Sequence, residues 1–186
     1  MANLVSWEFT QLPNDIIEIL ENDIKKFDSS VNQSELGGYE MNLSVRNSEN
    51  TWISTSHWIG GWLWYYVSKA NRENFLYDIV DIDSGTLQYT HYNEGQFYDW
   101  HQDSDLHILH RPQVNYSSER NRSQEEIYQA GEYVRKLSFS LQLSDPTDYI
   151  GGEVEFLSNE NDKFLAPKQK GTMIIFDSRV RHRVRK

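Results

Sequence analysis

The chain has 186 residues, a length that suits one domain with a substantial core, and its 18 Lys and Arg against 28 Asp and Glu leave a formal net charge of −10. That balance argues against loose binding along a phosphate backbone, where basic residues carry most of the affinity, so a nucleic-acid partner is not expected. Cysteine is absent, which removes both a disulfide framework and any thiolate metal site.

Residues 12–27 open with helix-start chemistry at Pro13-Asn14-Asp15 and place Ile16, Ile17, Leu20, Ile24 and Phe27 at helical spacing. An amphipathic helix is predicted, with Asp15, Glu18, Glu21 and Asp23 on a solvated face. Ahead of it, the N-terminus has no basic segment followed by a long apolar run, and no stretch of the chain reaches the apolar length that spans a bilayer. A soluble, cytoplasmic protein without membrane contact is the expectation. Residues 28–51 are polar and carry Gly37-Gly38, which reads as a loop with a short strand; Arg46 and Asn47-Ser48 could line an entrance, though an ordinary surface loop is the simpler reading. Residues 57–71 read as a second helix, apolar on nearly all sides and packed behind a sheet, with Gly60-Gly61 weakening its first turn and His57 at its edge.

From Phe75 onward strand signals dominate: residues 76–82, a turn at 83–85, residues 86–92, a turn at 93–95, then a run ending at His101. Residues 111–134 form a polar insertion in which 123–131 suits a short helix, and its place after this run makes it a candidate lid. Strand character resumes at 135–143, 152–157, 164–165, 171–176 and 181–185. Six Trp, eleven Tyr and eight Phe fit a β-rich core, most of them as packing groups. The expected fold is mainly β with flanking helices (α+β): a double-stranded β-helix, or jelly roll, with the N-terminal helices packed on one sheet. One domain, 1–186, is expected, with 1–74 as a helical support region and 75–186 as the jelly-roll core.

The chemistry concentrates at Tyr92-Asn93-Glu94-Gly95-Gln96-Phe97-Tyr98-Asp99-Trp100-His101-Gln102-Asp103. In an extended chain residues i and i+2 share a face, so His101 and Asp103 can converge on one ion. Asp105-x-His107 reverses the same spacing and His110 follows, leaving a second pairing open. A third ligand is available where an apolar strand, 171–176, is followed by a polar turn and His182. Two histidines and one carboxylate form the facial triad that holds non-haem Fe(II) while leaving positions open for co-substrate and oxygen.

The order Tyr92-x-x-Gly95-x-x-Tyr98-x-x-His101-x-Asp103, then Arg135-Lys136-Leu137-Ser138, then Gly151-Gly152-Glu153-Val154-Glu155-Phe156, then Pro167, Gly171, Phe176 and His182 resembles the prolyl 4-hydroxylase-like branch of the Fe(II)/2-oxoglutarate dioxygenases over residues 87–184. The resemblance selects His101, Asp103 and His182 as the metal ligands, because they alone continue the Tyr92/Gly95/Tyr98 pattern. It implies Fe(II), 2-oxoglutarate and O2, with ascorbate as a further reductant, and no catalytic residue beyond the ligands. Tyr92 and Ser138 match positions that contact 2-oxoglutarate, and Gln142 shares the strand face of Ser138. Tyr98 matches a position near the substrate, although strict alternation places it opposite His101, so a bulge is required. The implied reaction is hydroxylation of an unactivated C–H bond, in a prolyl residue of a peptide or protein. The alternatives are a 2-oxoglutarate oxygenase of a free amino acid, small metabolite or nucleobase, and a non-catalytic jelly-roll binding module. Relatives also place a Lys or Arg about nine or ten residues beyond the distal histidine to pair with the remote carboxylate of 2-oxoglutarate, whereas the sequence runs to Lys186. Arg135, Lys136, Arg183, Arg185 and Lys186 are the basic residues considered for that part, and the oligomeric state is not legible.

Overall fold

A computed structural model describes residues 4–10, 12–27, 32–33, 46–103, 134–158 and 162–186. Gly37-Gly38, the insertion at 111–133 with its proposed helix and lid role, and Asp105, His107 and His110 lie outside the described residues. In chain order the elements are β1 (Val5–Phe9), α1 (Asn14–Phe27), β2 (Asn32–Gln33), β3 (Arg46–Asn47), β4 (Glu49–Ser54), α2 (Trp58–Ala70), β5 (Thr86–His91), β6 (Phe97–His101), β7 (Leu137–Leu141), β8 (Val154–Leu157), β9 (Lys163–Leu165), β10 (Thr172–Asp177) and β11 (His182–Val184). Among the described residues the protein is thus mostly β-sheet with two α-helices, and every strand pairing is antiparallel.

Three sheets result, in the orders β1-β10-β7, β3-β6-β11-β8-β9 and β2-β4-β5. The organising strand is β10, all six of whose residues are buried. Such a continuous apolar run needs cover on both faces, and alternation along the strand supplies it. Met173 and Ile175 face a core built with Leu20 and Ile24 of α1, Ile59, Leu63, Val67 and Ala70 of α2, and Ile53 and Leu87 of β4 and β5. Ile174 and Phe176 face the other way, into a second core with Phe156, Ala166 and Val180. The helices therefore cover one side of β10, and the sheet that carries β8 covers the other.

Both predicted helices form where their periodicity places them. His57 caps α2, its ring accepting from the Ile59 N–H. The Gly60-Gly61 pair is accommodated because a Cβ at Gly60 would run into the Thr55 carbonyl oxygen, so glycine is required for that close approach. Among the described residues no helix is long and apolar enough to cross a membrane.

Two expectations change. Residues 76–82 are not a strand, although half-buried and exposed positions alternate from Leu76 to Val80. Asn71 takes the place of a strand partner: its side chain accepts from the Tyr77 N–H at 2.9 Å and donates to the Tyr77 carbonyl at 2.8 Å. Nor is the first part of the chain only a helical support, because β1 pairs with β10, β3 with β6, and β4 with β5. Those strands are short or polar, and their periodicity alone does not reveal their partners.

Candidate metal centre

β6 and β11 are antiparallel neighbours with His182 opposite His101, which brings two imidazoles remote in sequence to a ring separation of 4.1 Å. Asp103, just beyond the end of β6, returns toward both: its Oδ1 lies 3.5 Å from His101 Nε2 and 3.8 Å from His182 Nε2. One ligand atom from each of the three lies within 4.8 Å of the others. Adjacent donors around an ion at about 2.1 Å bond length sit roughly 3 Å apart, so small side-chain rotations close this set on a metal.

The protonation pattern suits ligation. His101 Nδ1 is 2.7 Å from the Asp99 carbonyl and His182 Nδ1 is 3.0 Å from the Val180 carbonyl. A carbonyl only accepts, so each Nδ1 carries the hydrogen and each Nε2 presents its lone pair to the cluster. Burial lowers the pKa of His182 and favours the neutral ring. Burial works to raise that of Asp103, but the facing His101 and His182 rings, in their protonated forms, and the hydroxyl of Ser138 outweigh it and hold the carboxyl well below the usual carboxylate range. Two neutral imidazoles and one carboxylate are the donor set that Fe(II) takes.

The bulge required for Tyr98 is present. Four residues on β6, from Tyr98 to His101, oppose three on β11, from Val184 to His182. The extra residue turns Tyr98 onto the side of His101, and the two rings stack at 3.4 Å and 13°. Arg46 of β3 lies opposite Tyr98, with its guanidinium carbon 4.6 Å above the phenol ring. Tyr92 completes this side; burial pushes its phenol up to about 12 against the opposing charge of Arg46, so it stays a neutral hydrogen-bond donor. Ser138 sits on the other side, buried, with its hydroxyl 2.9 Å from that of Ser178. The backbone of Gln142 pairs with Gly171 and Thr172, at the opposite end of β10 from Ser178.

The turn between β10 and β11 is a knot that sequence reasoning missed. Asp177, 1% exposed, accepts from the Arg179 backbone N–H at 2.9 Å, Arg179 Nε at 2.8 Å, Arg179 Nη2 at 2.5 Å and the Tyr77 hydroxyl at 2.5 Å. The turn so held reaches both ligand segments. The Ser178 carbonyl receives the Asp103 N–H at 2.9 Å, the Arg179 carbonyl receives Gln102 Nε2, and the Val180 carbonyl fixes His182. A carboxylate ending an otherwise apolar run, 172–177, was the available signal.

The basic residues considered for the co-substrate each have another partner. Arg135 binds Asp83 at 2.5 Å and the Asp103 carbonyl at 3.2 Å, Lys136 the Asp78 carbonyl, and Arg183 Glu155 at 2.5 Å. Arg185 lies 3.9 Å from Glu153 and Lys186 lies over Phe97. Arg46 differs from all of them. It is buried, it donates through Nε to Ser48 at 3.1 Å and through Nη2 to Asn50 at 3.3 Å, and no carboxylate pairs with it among the described residues. The sequence favoured an ordinary surface loop there, because a two-residue strand carries no periodicity.

Residues 87–186 match the 2OG-Fe(II) oxygenase superfamily. No curated protein matches the chain. Among solved structures it is similar to a Pseudomonas putida prolyl-4-hydroxylase, with 17% identity, TM-score 0.67, and coverage of 97% of this chain and 84% of that one. It is also similar to a Trichoplax adhaerens prolyl hydroxylase in complex with a peptide fragment of the hypoxia inducible factor oxygen degradation domain, with 14% identity, TM-score 0.66, and coverage of 98% and 77%.

Proposed function

From the premise that the chain belongs to the 2OG-Fe(II) oxygenase superfamily, and is therefore an Fe(II)- and 2-oxoglutarate-dependent dioxygenase, we propose that it hydroxylates a prolyl residue in a peptide or protein, with His101, Asp103 and His182 as its metal ligands. The observation that carries the assignment is the convergence of those three side chains with both Nδ1 atoms bound to backbone carbonyls. Resemblance in fold to two prolyl hydroxylases, one holding a peptide, supports the choice of substrate. We also read the chain as one domain, 1–186, and its facing sheets as a double-stranded β-helix; the packing of Ile174 and Phe176 of β10 against Phe156 of β8 supports that reading.

Fe(II) with 2-oxoglutarate supplies O2 activation and the oxidising power for a C–H bond. The protein's own residues do the positioning. The Asp99 and Val180 carbonyls hold the imidazoles in the ligating tautomer, and the Ser178 carbonyl with Arg135 holds the backbone of Asp103. Tyr92, neutral at every physiological pH, donates a hydrogen bond to a co-substrate oxygen, and the Ser138 hydroxyl, which bonds Asp103, borders the same space. Gln142, on the strand face of Ser138, is carried as a further candidate for the co-substrate. Tyr98 stiffens His101 by stacking and offers its outer edge to the substrate. Arg46 keeps N–H donors available beside it, and these receive a carbonyl or carboxylate oxygen of the substrate or co-substrate.

The test is succinate formation with Fe(II), 2-oxoglutarate and proline-containing peptides, followed by mass spectrometry for one added oxygen on proline. Stimulation by free amino acids or nucleobases in place of peptides would overturn the choice of substrate. Absence of any 2-oxoglutarate turnover would support a binding module.

A further inference from the structure

Behind the two imidazoles, on the other face of the same strands, lies a second contact between β6 and β11. Trp100 precedes His101 and Arg183 follows His182. Alternation turns Arg183, Glu155 and Lys163 away from His182, Phe156 and Phe164, whose rings pack together on the inner side. The Trp100 indole joins them on the outer side: the Arg183 guanidinium carbon is 4.8 Å from the ring centroid and Lys163 Nζ is 5.6 Å from it. Arg183 also donates through Nε to Glu155 at 2.5 Å, and Glu155 is only 8% exposed although it lies on that outer side. The four side chains come from β6, β11, β8 and β9, which are consecutive in the sheet. They form a strap across its back, next to the ligands in the chain.

We propose that Trp100 and Arg183 are positioning residues that lock the bulge in β6 and so set how His101 and His182 face each other. The inference rests on the triad reading above and adds what holds its two imidazoles in register. The bulge needs a lock, because its extra residue has no partner of its own in the ladder. A slip of one residue would carry His101 to the outer face and undo the stack of Tyr98 on it. The same slip would pull the indole off both cations and turn it inward among the ligands, so the contact behind the sheet resists it. Asp99, the other outward residue of the bulge, is exposed, and its side chain accepts only locally from the Trp100 N–H at 2.8 Å among its described bonds. Arginine suits its part, since a planar guanidinium stacks on the indole while bonding a carboxylate in its own plane, which an ammonium does not do. The pair acts through the ligands that adjoin it in the chain.

The test measures Mn(II) affinity by calorimetry and the visible spectrum of the Co(II)-loaded protein, which reports ligand geometry. Trp100→Ala should weaken Mn(II) binding by about five- to tenfold and shift the Co(II) bands. Trp100→Phe, which keeps a ring face for the cation, should recover most of the affinity, and Arg183→Lys, which keeps the charge but loses the planar fork, should fall between the two. Lys69→Ala is the control, because it breaks the 2.5 Å pair with Glu8 between α2 and β1, outside the sheet that carries the ligands. It should lower the melting temperature without moving either metal readout. Native affinity and spectrum in Trp100→Ala, or equal losses in Lys69→Ala, overturn the lock and leave the triad standing. If Trp100→Ala does not fold, Arg183→Lys decides, and native values there overturn the lock. Wild-type protein that binds no Mn(II) overturns the triad and the lock together.

Discussion

Two walls flank the three candidate ligands, and they are built in opposite ways. On the Asp177 side almost every polar group is spent internally: one buried carboxylate takes four hydrogen bonds, and the carbonyls of the following turn go to Asp103, Gln102 and His182. On the β4 side a buried guanidinium pairs with no carboxylate among the described residues and an indole is exposed. A wall whose bonds are satisfied holds geometry, and a wall that keeps donors and aromatic area in reserve recognises something. Stability and recognition should therefore separate by mutation.

The sharpest break removes the centre between the walls. His101→Ala, Asp103→Ala and His182→Ala should each abolish Fe(II)-dependent 2-oxoglutarate turnover and Mn(II) binding by calorimetry, with circular dichroism unchanged. Retained metal binding in one variant would exclude that residue from the triad. On the satisfied wall, Asp177→Ala leaves the Tyr77 hydroxyl and Arg179 without their acceptor and should cost roughly 2–4 kcal/mol in urea unfolding, against about 1 kcal/mol for Tyr77→Phe. Metal affinity should weaken in the same order, since the turn carries both ligand segments. A stable Asp177→Ala protein with native metal affinity would show that the knot is dispensable.

The unsatisfied wall should respond the other way. Arg46→Gln is expected to raise KM by about tenfold with little change in melting temperature, because it deletes a charge-assisted bond to a ligand and no internal ion pair. A rise for 2-oxoglutarate alone would assign Arg46 to the co-substrate, and a rise for the peptide alone to the substrate. Loss of fold without a change in KM would remove the contrast between the walls.

The smallest effect is a pH dependence. Burial alone would raise the carboxyl pKa of Asp177, but the bonds from Arg179 and Tyr77 outweigh it and the net shift is downward from 3.8. A folded-state value below the unfolded one means stability that is present above about pH 4 and lost as pH falls through the folded value. Asp177→Asn should therefore be less stable than the wild type at neutral pH and lose less on acidification below pH 4. Parallel acid curves for the two proteins would sever the knot from that dependence.

The ligand motif was legible because its information is local: His101 and Asp103 lie two apart, and His182 follows an apolar strand that announces itself by composition. The helices and β10 were legible for a like reason, since apolar periodicity records which face is buried. Residues 76–82 show where that record misleads, because alternation describes burial and not pairing, and there a single asparagine side chain takes the backbone groups a neighbouring strand would have used.

What this sequence offered by itself was a His-x-Asp pair and a downstream histidine as candidate donors, while the resemblance to the prolyl 4-hydroxylase-like branch selected His101, Asp103 and His182 and called for a bulge at Tyr98. Tertiary structure decided which partners meet across the chain. Arg46 reaches Tyr98 through a two-residue strand, Asp177 meets Tyr77 across long separation, and the backbone of Gln142 pairs with Gly171 and Thr172. Short strands carry too few residues to encode a partner, so their pairing is settled by the packing of the helices and of β10, and the shape of the site settles with it.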